Sequence, residues 1–370
     1  MAQVENSKSP VYEVIRVLSV LLIRAISALR CILQSAAGKK SDDFSRVDYS
    51  YYLREALGFG IEARVLRNDV LRLRKGDKVR HVWHSFTDFD GEGTLMVAGD
   101  KALCCELMKE AGIPVPEHVV IKRGDYRSAL MFRRRIGGHI VVKPARDTGD
   151  GRGVFIKPAS FFSIWWAVNG AGVYGKEVIV EKFYEGSNFR LLYCNNEFLS
   201  ACARIPAYVQ GNGHNSVREL IEMTNVNRIE QGRYIEYHRN TRPILYKVRI
   251  SRSTIKVLKR QGYHLESIPK KGVKVFLQDI CHWLQGGIYV EVTPLISPYF
   301  IELGKRAVEA VGAKMAGVDL IARDVREATP GSFVVNEVNT SPGLLVHYEV
   351  QNQENMRPVA RDILRLMFDL

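Results

Sequence analysis

The stretch that decides the fold is "FVVNEVNTSPGLLVH", residues 333–347. Phe333, Val334 and Val335 read as a buried strand, and Glu337 and Asn339 follow before a turn at Ser341-Pro342-Gly343. Side chains at i and i+2 of a strand share a face, so a carboxylate and an amide oxygen stand side by side, with Val338 facing away. Such a pair is either a strand running into a polar turn or part of a Mg²⁺ site, because Mg²⁺ takes one or two carboxylates, waters and substrate phosphates. A second acid interrupts an apolar strand in "AGVDLIARD", where Asp319 stands 18 residues before Glu337. Two antiparallel strands would bring Asp319, Glu337 and Asn339 together, a ligand set for one or two Mg²⁺ ions bridging nucleotide phosphates.

Upstream, "VVKPARDTGDGRGVFI" puts Lys143 at the end of an apolar strand, next to a loop with Gly149, Gly151 and Gly153. Glycines let backbone N–H groups approach phosphate oxygens unobstructed. The loop is neither a Walker A nor a GxGxxG, and taken alone it reads more simply as a glycine hairpin between strands. Glu181 ends the apolar strand of "VIVEKFYEG", and alone it reads as a surface turn. No member of this set is specific; the ordered combination is.

At 370 residues the chain is one large domain or two to three smaller ones, and its 46% hydrophobic and 25% charged residues are those of a globular protein. Cys31, Cys104, Cys105, Cys194, Cys202 and Cys281 form no CxxC pair and have no His at zinc spacing. They read as reduced, mostly buried thiols of a cytoplasmic protein. In "VYEVIRVLSVLLIRAISALRCILQ", Arg16, Arg24 and Arg30 leave "VLSVLLI" as the longest apolar run, short of the ~20 residues of a membrane span. "SAA" at 35–37 resembles a signal cleavage site only faintly. The segment fits an amphipathic helix that packs on the protein or lies on a membrane surface, packing being preferred, with no stable insertion. Of the formal charge of +13, residues 228–274 hold 13 Lys or Arg against Glu230, Glu236 and Glu266, a net +10. Such a block can bind nucleic acid, a membrane or an anionic small molecule.

Residues 48–98 read as a helix around "YSYYLREALGFG" followed by short strands, and "DKALCCELMKEAG" as a helix stopped by Gly112 and the prolines at 114 and 116. "HIVVKP", "VFIKP", "EVIVEKFYEG", "NFRLLYC" and "EFLSACARI" read as strands, the last two as a hairpin. "SPYFIELGKRAVEAVG" and the tail "PVARDILRLMFDL" read as helices.

From about Asp100 to His347 the sequence resembles the ATP-grasp ligases, most closely the ATP-grasp domain of cyanophycin synthetases, and more distantly D-alanine–D-alanine ligases and glutathione synthetases. The resemblance rests on "DKAL…AGIPVP", "VVKPARDTGDGRGV", "VIVEKFYEGSNFRLL", "ARIPAYVQGNGHNSVRELIE", "LKRQGYHLESIPKKGVKVFL", "GGIYVEVT" and "AGVDLIARD…VNEVNTSPGLLVH". It implies an α+β ATP-grasp fold, two α/β lobes clasping ATP, with a small N-terminal α/β domain. The divisions it suggests are an N-terminal helix and linker (1–46), a small α/β domain (47–98), the ATP-grasp domain (99–350, lobes dividing near 180) and a C-terminal helix (351–370). It implies that Lys101 and Lys143 hold the α- and β-phosphates and that residues 149–153 form a lid. It further implies that Glu181 accepts from the adenine amino group beside the backbone of Phe183, and that Asp319, Glu337 and Asn339 hold two Mg²⁺ ions, with Mn²⁺ an alternative.

The implied reaction joins a carboxylate to an amine through an acyl phosphate, releasing ADP and phosphate, on amino-acid or peptide substrates. Arg190 and Arg204 are the candidates for oxyanion stabilisation, Lys247 for a contact to ATP or an acidic substrate, and His347 for a substrate contact or a turn. Asn188 replaces the acid that relatives use for the ribose hydroxyls, where an amide can still hydrogen-bond; Leu345 replaces the Arg of "PGLRMH", so the substrate is expected to differ. With no Mur-ligase-like module, the chain reads as a stand-alone enzyme, with a homo-oligomer compatible. Two competing classes are a non-catalytic ATP-binding regulator and a nucleic-acid binder using the basic block, whose Tyr234, Tyr237 and Tyr246 are interleaved as stacking requires.

Overall fold

Alternating burial along short strands shapes this molecule, described in a computed structural model over residues 48–146, 151–230, 247–281 and 285–370, with the backbone alone of 234–237 and 240–243. Of the residues before 48, only Val14, Val17, Leu18 and Leu21 are described. The rest of the expected N-terminal helix, Gly149, Tyr246 and the side chains of Tyr234 and Tyr237 therefore lie outside the described residues. In chain order, helix α1 (Asp48–Ala56) leads to strands β1 (Glu62–Val65), β2 (Val70–Lys75), β3 (Lys78–Trp83) and β4 (Phe86–Thr87), an antiparallel meander. Helices α2 (Glu92–Gly99) and α3 (Lys101–Glu110) follow. Asp100 Oδ1 accepts the amides of Ala102 and Leu103 at 3.1 and 3.2 Å, capping α3. Gly112, at φ +70°, lies just beyond its end, ahead of Pro114.

The chain divides into two compact units, of which the first takes residues 99–106 and 115–184. It contains β5 (His118–Lys122), α4 (Tyr126–Ile136), β6 (Ile140–Pro144), β7 (Phe155–Ile156), α5 (Phe161–Ala171) and β8 (Glu177–Lys182). Its antiparallel sheet runs β5-β8-β6-β7. Asp125 caps α4 and Gly137, at φ 62°, ends it; Ser160 and Ser163 cap α5 reciprocally. The inner faces of both helices, with Ala129, Phe132, Ile164 and Val168, pack against Ile140, Val142, Val178 and Val180 of the sheet.

The second unit takes residues 43–98, 107–114 and 185–370. Strands β9 (Ser187–Cys194) and β10 (Glu197–Ile205) form the hairpin expected from the sequence, followed by β11 (Tyr208–Gln210) and α6 (Val217–Glu230). A ladder of β12 (Tyr234–Tyr237) with β13 (Asn240–Pro243), then α7 (Arg252–Arg260), β14 (Lys274–Phe276) and β15 (Ile288–Glu291) lead to α8 (Pro298–Val311). Pro298 starts α8 and Gly312, at φ 73°, stops it. Strands β16 (Met315–Ala322) and β17 (Phe333–Thr340) complete an antiparallel sheet of order β15-β10-β9-β16-β17. Helices α9 (Leu345–Tyr348) and α10 (Val359–Phe368) close the chain.

Helix α1 and the β1–β3 strands share one core with α10, where Tyr52, Leu71, Leu73, Ile363 and Leu364 are fully buried. Tyr51 stacks on Tyr348 with centroids 3.9 Å apart. Asp48, at the start of α1, is buried, and its Oδ1 accepts the amides of Leu344 and Leu345 at 3.1 and 3.3 Å. The segment that follows the candidate metal strand is thus tied to α1.

Burial pushes the Asp48 carboxyl up to about 7, against the pull of those two amides. The folded protein therefore keeps this proton to about pH 7, whereas an unfolded Asp loses it near pH 4. Stability from this group is full below about pH 4 and declines as the pH rises to about 7. Asp48→Asn, which keeps the accepting oxygen, is expected to abolish that decline in urea titrations between about pH 4 and 8. An unchanged pH profile would remove Asp48 as its cause.

Candidate active site

In the second unit, β16 and β17 pair so that Asp319 lies directly opposite Glu337, and Gly317 opposite Asn339. Val338 is fully buried while Glu337 and Asn339 are partly exposed, the alternation expected from the sequence. The two strands do bring the three oxygen-bearing residues together, and Asn339 Nδ2 lies 3.3 Å from Asp319 Oδ2.

Strand β9, on the other side of β16, sets Arg190 opposite Asp319, and β10 lies beyond it with Arg204 opposite Asn188. Arg190 donates to both Asp319 oxygens, at 2.5 Å from Nε to Oδ1 and 3.2 Å from Nη2 to Oδ2, and Arg204 Nη1 donates to Oδ2 at 3.1 Å. The carboxylate is thus gripped by two guanidiniums, one of them bidentate. Burial alone would raise the Asp319 carboxyl, but Arg190 and Arg204 hold it below its ordinary value. Burial likewise opposes the Arg204 charge, and Asp319 outweighs it, leaving that guanidinium more firmly protonated than usual. Gly317 makes room for this pairing: a Cβ there would come within 2.7 Å of Arg190 Cδ.

Asp319, Glu337 and Asn339 supply hard oxygens, the donor chemistry Mg²⁺ takes. Asp319 Oδ2 receives three contacts and Oδ1 one, so Oδ1 keeps lone-pair capacity for a cation. Among the described residues no cluster of three His, Cys, Asp or Glu side chains converges.

Asn188 is exposed, two residues before Arg190 on β9. Lys247 is exposed beside Val248, whose amide and carbonyl are both held by Asn225. Among the described contacts of Asp319, none comes from Lys247. His347 corrects the reading of a turn or substrate residue. It is fully buried on α9, and its Nδ1 lies 3.0 Å from Ser200 Oγ, which donates to Glu291 Oε2 at 2.9 Å. Burial, aided by the Arg190 charge, pushes the imidazole down to about 3, so it stays neutral. Ser200 and Glu291 were not singled out by sequence, because 91 and 147 residues separate the partners that meet here.

In the first unit, Lys143 Nζ sits 2.7 Å from Glu181 Oε1, with both side chains almost wholly buried. Their strands make this possible, since Val141 of β6 faces Glu181 of β8 and Lys143 is two residues along on the same face. Two residues expected to serve different parts of a nucleotide are thus an ion pair. Lys101 opens α3, nearly buried, with its amide on Ala145 O at 3.0 Å. Phe183 gives its amide to His139 O at 2.8 Å, and Lys157 Nζ stands 4.2 Å over its ring. Gly151 and Gly153 have φ of 68° and 73°, and a Cβ on Gly153 would strike Pro144 and Tyr174 at 2.8 Å. All five described cysteines are buried, and burial pushes the Cys202 thiol up to about 12 and Cys281 up to about 11.

No protein-family model matches the chain. Among curated proteins, a cyanophycin synthetase of Geminocystis herdmanii is 32% identical over 275 residues, 74% of this chain and 30% of that protein. The glutathione biosynthesis bifunctional protein GshAB of Clostridium perfringens is 27% identical over 347 residues, 89% of this chain and 43% of that protein. Among solved structures, a bifunctional glutathione synthetase from Pasteurella multocida is similar with a TM-score of 0.61 at 25% identity, covering 89% of this chain and 45% of that one. The chain spans less than half the length of each of these proteins.

Proposed function

From the premise that the chain belongs to the ATP-grasp ligases, we propose that it joins a carboxylate to an amine at the expense of ATP. The carboxylate oxygen attacks the γ-phosphorus, the bond to ADP breaks, and an acyl phosphate forms. The amine nitrogen then attacks the acyl carbon, phosphate departs with the C–O bond electrons, and the nitrogen gives up a proton. The observation that carries this reading is the Asp319 cluster: a metal-competent acid opposite Glu337, flanked by two permanently charged arginines.

Lys101 and Lys143 would neutralise the α- and β-phosphates, Glu181 and the Phe183 backbone would bind adenine, and Asn188 the ribose. Gly149, Gly151 and Gly153 would approach the phosphates by backbone. Asp319, Glu337 and Asn339 would hold two Mg²⁺ ions, or Mn²⁺, which when bound neutralise phosphate charge. Arg190 and Arg204, fixed before reaction, would stabilise the tetrahedral oxyanion of the second step, and Lys247 would contact ATP or an acidic substrate. Free amino acids or short peptides are the proposed substrates, in the cytoplasm, where ATP is supplied. A homo-oligomer is compatible with this reading, and nucleic acid has no part in it. The proposed divisions are those set out above, with residues 99–350 as the ATP-grasp domain.

The test is incubation with ATP, Mg²⁺ and pools of amino acids or dipeptides, following ADP, phosphate and new masses. ADP and phosphate should appear only with particular pools, together with a product one water lighter than its two parts. AMP and pyrophosphate would exclude an acyl phosphate. ATP binding without turnover on any pool would favour the non-catalytic regulator.

A further inference from the structure

We propose that the outer face of α4 and α5 docks on an anionic membrane surface. Helix α5, "FFSIWWAVNGA", has no charged residue, yet only one of its faces is buried. On the other, Phe161, Phe162 and Trp166 are 59%, 67% and 37% exposed. Trp165 joins them, stacked on Phe162 at 5.6 Å and 6.4 Å from Trp166. Four large aromatics at i, i+1, i+4 and i+5 form one continuous stripe. Single exposed hydrophobes are ordinary, but a contiguous patch marks an interaction surface.

The neighbouring helix supplies the charge. Tyr126 of α4 meets Phe161 edge-on at 5.4 Å, and Arg133 Nη1 donates to Ala159 O at 2.7 Å, so the two helices lie together. Helix α4 carries four arginines and no acid. Arg127, Arg134 and Arg135 are exposed, and Met131, between them in sequence, is 63% exposed. Arg135 also reaches Glu117 at 3.0 Å. Aromatic rings that seek the headgroup level beside arginines that seek phosphate are the chemistry of a membrane-surface site. A second copy is a poorer occupant, because a two-fold contact would press one arginine-bearing face against another of the same sign.

An independent observation points the same way. Val14, Val17, Leu18 and Leu21 are helical, and each is 47–59% exposed. Their i, i+3, i+4, i+7 spacing makes one apolar stripe. No described helix is long and apolar enough to cross a membrane, so the contact is peripheral.

Full-length protein should co-sediment with phosphatidylcholine vesicles containing about 30% phosphatidylglycerol, weakly with pure phosphatidylcholine, and less as salt is raised. Phe162→Ser/Trp166→Ser should weaken binding at least about tenfold while unfolding at the wild-type temperature, since both residues are exposed. Arg134→Glu/Arg135→Glu should abolish the preference for the anionic vesicles. Wild-type protein that ignores anionic vesicles, or surface variants that bind like wild type, would overturn the proposal. So would a self-association that Phe162→Ser/Trp166→Ser abolishes without any vesicle binding; that result would assign the face to a second copy.

Discussion

Replacing Asp319 by Ala is expected to cost both folding stability and all useful turnover. Arg190 and Arg204 donate three bonds to this carboxylate in a site where the three side chains are 13%, 25% and 13% exposed for Arg190, Arg204 and Asp319. Without it, two guanidiniums remain in a poorly solvated position and lose the carboxylate that they grip. Breaking a buried pair this way costs about 3–5 kcal/mol, which urea denaturation would read as a lower midpoint with unchanged slope. Turnover should fall at least about 10³-fold, because a cation ligand and the anchor of both arginines are lost together. The wild type should also show the linkage: a carboxyl held low contributes stability above about pH 4, lost as the pH falls through the folded value. A variant as stable and as active as wild type would end the cluster's claim to be the reaction centre.

The second large effect concerns Lys143 and Glu181, which separate folding from nucleotide binding. Glu181→Gln leaves the Lys143 ammonium in a site where it is only 6% exposed, and should destabilise the first unit by about 3–5 kcal/mol. Lys143→Met/Glu181→Gln removes both charges, and stability should return to near wild type, since neutral replacements of buried pairs often cost nothing. ATP binding should not return with it, because both proposed nucleotide contacts are gone. Calorimetric titration of the double variant with ATP and Mg²⁺ reads this directly. A stable double variant that binds ATP normally would reduce the pair to a structural role.

These residues differ in how legible they were. The β17 stretch announced itself because strand alternation is local: Glu337 and Asn339 share a face whatever surrounds them, and Asp319 stands near enough in sequence for two antiparallel strands to bring it to them. Arg190 and Arg204 could be named but not joined to Asp319, since their meeting depends on sheet order β10-β9-β16, which no short window encodes. Lys143 and Glu181 were each visible as a charge ending an apolar strand; their contact depends on β6 lying beside β8. Asp48 gave no signal, because an N-terminal acid on a helix is commonplace and its partners lie 296 and 297 residues away. His347 was read as a substrate contact or a turn for the same reason: Ser200 of β10, which meets its Nδ1 in the buried interior, lies 147 residues away.

The register between β16 and β17 slips at one point: Leu320 faces Val335 and Asp319 faces Glu337, so Asn336 has no opposite number. It is the spare residue of a bulge. Deletion within a sheet usually turns every later side chain to the wrong side. Here removal of Asn336 would leave each cross-strand partnership as it stands and merely straighten the ladder. A shortened chain of this kind would show whether the reaction needs only the right oxygens on the right side, or also the local twist with which the bulge delivers them.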